Sequence, residues 1–431
     1  MSSMPKIPEV EQVPPRLSSF AELYDLTAGD AAFLWILRCH SIEQPHHESD
    51  DVKALEFRIQ GCLDFLLACP EIAWEICFEA LSLEERGEMF CAAVLAFKSA
   101  DPKKIKAVVT IGLKNQDTFR GLVDAMVWLP SSVVYPWQQK LLSSKELSHK
   151  YLAITVFAER REDPGEILEV LLKREDCLED ILLHARILRL IGELKLHALK
   201  WAIDAAGRHA NPHVRFWALW SAILLGDTRA IPYLFDYCCQ PSEWQEEAIQ
   251  LGFRVVSVDE GRNWISKLVA ITQTQPDLAR IVIHAIGIMG DPHTLEWLLE
   301  KMSYQHLARL AAKAFCIITG IDLEKEKATI DSINDEDITN DDEWEQEPPV
   351  DPDENLLYPN VKVLRCLWEQ RKHLFTAGQR YFIGEAINTK RLNQILQDGY
   401  QEQRHAAALE LALLDIQKPL INTRLRISTS S

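Results

Sequence analysis

Residues 278–302 read LARIVIHAIGIMGDPHTLEWLLEKM. Val282, Ala285, Ile286 and Met289 fall at i, i+3, i+4 and i+7, and Leu295, Leu298, Leu299 and Met302 repeat that spacing. Apolar residues at this period mark one buried face of an α-helix, so the stretch predicts two amphipathic helices. Between them Gly290 suits a left-handed C-terminal position, Asp291 suits the cap of the following helix, and Pro292 fits its first turn. The expected unit is a tight helical hairpin.

Working outward, the unit recurs. Asn211-Pro212 opens a helix, Leu225-Gly226-Asp227 makes a turn, and Ile231, Leu234, Phe235 and Cys238 repeat the spacing. An earlier copy is expected to turn at Ile191-Gly192-Glu193, and a degenerate one near Ser257-Val258-Asp259. The period is roughly 32–34 residues, and paired helices at periods of 20–50 imply stacked hairpins sharing one interior. The expected fold is all-α: an α-solenoid of HEAT-like helical hairpins (an α-α superhelix) with an acidic disordered or loop insertion. The expected divisions are a flexible N-terminus (1–17), an N-terminal helical cap (18–98), a HEAT-like repeat array (99–323), an acidic linker (324–355), a C-terminal helical unit (356–415) and a tail (416–431). Gln44-Pro45-His46-His47 should break the helices of the cap, and Gly378 to Gly384 should form a turn or short extended stretch.

Composition agrees with a globular chain: of 431 residues, 47% are hydrophobic and 26% charged, and 17 Gly are few for a fold rich in tight turns. The net charge of −18 is uneven. Residues 324–354 hold 14 acids and two lysines, whereas 356–431 hold 11 bases and six acids. The acidic run is expected to be a solvated linker, with two alternatives: a clamp onto the basic C-terminal segment (Arg371, Lys372, Arg380, Lys390, Arg391, Arg404), or a partner-binding arm. No division is strongly basic, which disfavours nucleic acid as the main ligand. The 10 cysteines form no CxxC pair and read as reduced thiols. The first residues carry no signal-peptide core and the longest early apolar run, Ala31 to Leu37, is far short of the ~20 residues that span a membrane, so a cytoplasmic location with no membrane partner is expected.

No local chemistry rises above this background. His46, His47 and Glu48, near Cys39, His40, Asp50 and Asp51, lack zinc spacing and read as a polar loop. Trp217 and Trp220, with Trp201, Trp264 and Trp297, read as core rather than as a wall for a base or pigment. There is no phosphate loop, dinucleotide fingerprint or serine elbow. No catalytic residue, metal ligand or cofactor is therefore expected.

Five stretches in order carry a resemblance: Ala32 to Arg38 followed by Pro45-His46; Ala314 to Leu323; Asp351 to Leu356; His373 to Gly384; and Gln403 to Ala412. Together they resemble an uncharacterised bacterial HEAT-like repeat family across about residues 20–415. The resemblance implies genomic company: members are often encoded beside type VI secretion components such as spike-tip proteins and loading adaptors, with no catalytic residue assigned. It implies partner-binding or motif roles for Trp35, Arg38, Pro45, His46, Asp351, Asp353, Glu354, His373, Phe375, Gly378, Arg380, Tyr381 and Gly384. His47 stands where an aromatic residue is expected, and Leu357-Tyr358-Pro359 where a Pro-Trp-Pro-like segment is expected. The expected function is a non-enzymatic scaffold that binds spike-tip, adaptor or effector proteins of a secretion cluster. The alternatives are an immunity protein against a cognate toxin, and a helical-repeat enzyme or lyase acting on DNA or a pigment.

Overall fold

A computed structural model describes residues 16–272, 278–330, 351 and 353–427. Among them the chain forms 22 α-helices, short 3-10 turns and one two-stranded antiparallel hairpin, so the fold is all-α. The described residues divide into two compact units: 16–42, 50–156 and 425–427 form unit 1, and 43–49 with the described part of 157–424 form unit 2. This differs from the expected divisions. The helices of 86–143 pack with those of the expected cap rather than with the later hairpins, and the acidic linker makes no boundary.

Unit 1 is built around the helix Arg86–Ser99, whose residues Met89 through Phe97 are all buried. A helix apolar on every side must be surrounded, and Arg16–Ser41, Pro70–Ala80, Pro102–Gly112 and Gln116–Trp128 surround it. At its centre Trp35 stacks on Phe90 with centroids 3.8 Å apart and meets Trp128 edge-on at 5.5 Å. Gly121 lets two helices close: a Cβ there would lie 2.3 Å from the Arg86 carbonyl oxygen.

In unit 2 alternate helices pack side by side. Ile181–Leu194 lies against Pro212–Leu224, and Gln245–Val255 against Leu278–Met289, which in turn lies against Gln305–Thr319. The intervening helices cover their flanks, as hairpins sharing an interior require. The founding hairpin forms from Leu278–Met289 and, after a 3-10 turn, Leu295–Lys301; Gly290 is left-handed at φ 70° and Asp291 accepts from the His293 amide at 3.2 Å. Asn211 likewise caps its helix by accepting from His213 N at 2.9 Å.

The earlier copy departs from expectation. Gly192 is not a turn residue but lies inside Ile181–Leu194, and Lys195 makes the turn at φ 58°. Gly192 is small because Ser221 presses on it: an added Cβ would sit 2.5 Å from Ser221 Oγ, which donates to Leu188 O at 2.7 Å. Next to it Glu193 is buried with three arginines. Its carboxylate accepts from Arg186 Nη1 and Arg189 Nε, each at 3.0 Å, and Arg161 Nη1 lies 3.4 Å away. Burial alone would raise this carboxyl, but Arg186, Arg161 and Arg189 outweigh it and hold the pKa at about 2.

The acidic segment also needs correction at both ends. Residues 331–350 and the expected flexible stretch 1–15 lie outside the described residues. The flanks, however, are folded into unit 2 rather than forming a solvated linker. Ala328 is fully buried, Thr329 bridges Pro359, and Asp353 is buried at 5% exposure. Of the basic residues expected to clamp the run, Arg371 pairs with Glu326 at 2.6 Å, whereas Arg380 pairs with Glu410 and Lys372 with Glu369. The expected tail is bonded to unit 2 where Leu420 is described: Leu420 N donates to Glu193 O at 2.7 Å, and Arg161 Nε donates to Leu420 O at 2.8 Å.

Candidate functional site

Most motif residues gather in unit 2, where one loop, 376–384, closes over the C-terminal ends of repeat helices and another, 351–356, pairs with arginines near the N-terminal ends of two of them. Helix C-terminal ends leave carbonyls without intrahelical donors, and here the first loop supplies them. Tyr381 N donates to Gly290 O at 2.8 Å, Ile383 N to Ile317 O at 2.7 Å, and Gly384 N to Ile318 O at 3.2 Å. Tyr381–Phe382 pairs antiparallel with Glu385–Ala386, and the turn between them needs Gly384 at φ 79°. Phe382 then packs on Leu392, Ile395 and Ala407. Phe375 lies against the Tyr381 ring at 4.8 Å and the Trp368 ring at 5.5 Å, while the Gly378 amide faces Asp291 Oδ1 at 3.4 Å.

Arg380 binds two helix ends at once. Its Nε donates to Met289 O at 3.0 Å and its Nη1 to Arg254 O at 2.7 Å, carbonyls at the ends of Leu278–Met289 and Gln245–Val255. A cation is favoured there by the helix dipoles. Its Nη2 also donates to Glu410 Oε1 at 2.5 Å. Glu410 is buried between Arg380 and Arg254, whose Nε is 3.5 Å away. Burial, opposed by the attraction of Glu410, brings the Arg254 guanidinium down to about 10.

The second loop is held by paired charges. Arg280 donates to both oxygens of Asp353, at 2.7 Å and 2.6 Å, in a forked pair. Arg309 pairs with Asp351, which also accepts from Asp353 N at 2.9 Å. The 43–49 loop joins the same unit: Asn355 Nδ2 donates to Gln44 Oε1 at 3.0 Å and Gln401 N to His47 O at 3.0 Å. Asp353→Asn keeps the shape and removes the charge. It is expected to lower stability by about 2 kcal/mol, as for hydrogen bonds to charged groups, and to speed amide exchange at Leu356, both read from urea unfolding with hydrogen exchange.

The remaining motif residues separate into two kinds. In unit 1 Trp35 Nε1 donates to Asp124 Oδ2 at 2.9 Å, and Arg38 is buried with Nε and Nη2 on Glu56 Oε1 at 2.9 Å and 2.7 Å. His46, Glu354 and His373 are exposed, and Pro45 is half-buried in its turn. Trp217, Trp220 and Trp264 are core residues, while Trp201 is exposed. Among the described residues no three His, Cys, Asp or Glu side chains converge on a point fit for a metal ion, and no helix is long and apolar enough to cross a membrane.

Glu193, expected only as a turn residue, and Glu410, expected only as part of the stretch Gln403 to Ala412, are two buried carboxylates enclosed by arginine. Arg186, Arg189 and Glu193 share one helix face at spacings of three and four, a signal that was readable; the partners of Glu410 lie far off in the chain. No protein-family model matches the chain, and no curated protein matches it.

Proposed function

We propose that the chain is a non-enzymatic protein-binding scaffold of HEAT-like hairpins, acting in the cytoplasm as an accessory, adaptor or effector-handling factor of a bacterial type VI secretion cluster. One observation carries the scaffold reading. The motif residues are engaged mainly in fixing loops onto helix ends, while large apolar side chains stand in solvent: Phe57 is 80% exposed, Phe33 66%, Leu26 64% and Leu374 63%. Apolar groups left out of a well-filled interior are the usual material of protein interfaces. The secretion context is supported by the order of the five family-like stretches.

The test is affinity capture from the native host with the tagged full chain at low salt. Recovery of a spike-tip protein, loading adaptor or effector is expected; recovery of no secretion component overturns the assignment. Rescue of a co-expressed toxin's lethality would move the chain to the immunity role instead.

A further inference from the structure

The helix Arg16–Ser41 turns Tyr24, Ala28, Ala31 and Trp35 inward. Its opposite face carries Leu23, Leu26, Asp30, Phe33 and Leu37, in steps of three and four. That is the a/d spacing of a coiled-coil seam. The apolar members are 45%, 64%, 66% and 38% exposed, and Asp30 is exposed between them. We propose that this seam docks an amphipathic helix of a partner protein, one carrying a lysine or arginine opposite Asp30 and basic flanks. The proposal rests on the scaffold reading and deepens it by naming the surface and the chemistry of the partner.

Clefts on either side of the ridge give the incoming side chains room. One, of about 330 Å³, is lined by Asp25, Leu26, Gly29, Ile76, Leu83 and Glu88 among others. The other, of about 480 Å³, is lined by Asp30, Phe33, Arg58, Gly61, Cys62 and Phe65 among others. Gly29 and Gly61 are helix-interior glycines, which weaken a helix relative to alanine. Among the described residues nothing requires them: neither has a positive φ, and an added Cβ at either meets no described atom within 4 Å. Their effect is to leave helix backbone open to an approaching surface, in both clefts.

Charge selects the occupant. Asp25, Asp30 and Glu88 line the first cleft and form no ion pair with any described residue, and Arg58 is the one cation among the described residues of the two linings. A second copy of the chain is the wrong partner. Parallel in-register self-pairing of the seam sets Asp30 against Asp30, antiparallel self-pairing sets its charge against the apolar Leu26 or Phe33, and the acidic flanks of the two copies add to the repulsion. A buried charge at an a position discriminates against such pairings and favours an opposite charge. The seam spans about 21 Å at the helical rise, enough for two heptads.

The experiment uses the full chain and two synthetic helical peptides of about three heptads. Both have Leu at a and d; one has Lys at the central a position and at e and g, the other Glu at the same places. Binding is read by fluorescence anisotropy, and self-association by sedimentation. The basic peptide is expected to bind one-to-one and to be about tenfold or more weaker on Leu26→Asp or Phe33→Asp, a loss of at least ~1.4 kcal/mol. Asp30→Lys should move the preference toward the acidic peptide. Gly29→Ala and Gly61→Ala should raise the melting temperature while weakening the peptide, an opposition that a purely structural role does not produce.

Equal binding of the basic peptide by wild type and Phe33→Asp, equal binding of the two peptides, or binding of neither overturns the proposal. A dimer of the free chain that Phe33→Asp dissociates also overturns it, in favour of a second copy. If affinity capture still recovers secretion components on the Phe33→Asp chain, the seam fails and the scaffold reading stands. If capture recovers nothing on wild type, the scaffold reading itself falls.

Discussion

Glu193→Gln is expected to destabilise unit 2 by about 3–5 kcal/mol, the range for breaking one member of a buried ion cluster. The side chain changes little in size, so the loss is electrostatic. Arg186 and Arg161 are themselves largely buried, and Arg189 lies over the Trp217 ring at 4.1 Å. Without the Glu193 charge these guanidiniums face one another, and Glu159, 3.5 Å from Arg186 and partly in solvent, offsets them less closely. Replacing Arg186 by Leu in the Glu193→Gln background should therefore recover part of the loss, whereas independent sites would give additive losses. Urea unfolding of the four chains of this cycle measures the coupling, and an additive result removes the cluster as an explanation.

The same cluster sets a pH dependence of defined sign. Glu193 titrates at about 2 in the folded chain, against 4.5 for a free glutamate. Above 4.5 the carboxylate is ionised in both states and its stabilising attraction is fully present. As pH falls from there toward 2, the unfolded chain takes up a proton that the folded chain refuses, so this contribution declines. The stability gap between wild type and Glu193→Gln should accordingly be widest above about pH 5 and shrink through that window.

Local pattern and distant partner were unequally readable. The hairpin at 278–302 was legible because its periodicity, left-handed glycine and capping Asp291 all lie within one short stretch and agree. Gly192 misled because the same residue type serves two physical needs: a positive φ at a helix end, or the close approach of a second helix. Only the position of Ser221 decides between them. Asp351 and Asp353 looked like two acids in a solvated run because Arg309 and Arg280 lie 42 and 73 residues away. In the helix Arg16–Ser41 both faces carry large apolar residues, so periodicity alone did not say which face the interior takes. Solvent exposure of Leu26 and Phe33 settles that.

Gly290→Ala is expected to cost about 3 kcal/mol or more, and the reason is as much steric as conformational. A left-handed alanine carries a penalty of roughly 1 kcal/mol by itself. Here the added Cβ would also lie 2.2 Å from Tyr381 O and 3.2 Å from Tyr381 N, so the hairpin must move away. Moving it breaks the Tyr381 N to Gly290 O bond and draws Arg380 from the Met289 carbonyl. Gly378 provides the control, since it too is left-handed, at φ 84°, but an added Cβ there meets no described atom within 4 Å. Gly378→Ala should show the conformational penalty alone, with the amides of Tyr381, Ile383 and Gly384 still protected from exchange. Gly290→Ala should lose that protection by more than its global destabilisation explains. If both substitutions cost the same and leave exchange in the hairpin alike, the loop is not clamped to the helix end, and the fixed surface on which the scaffold reading depends is lost with it.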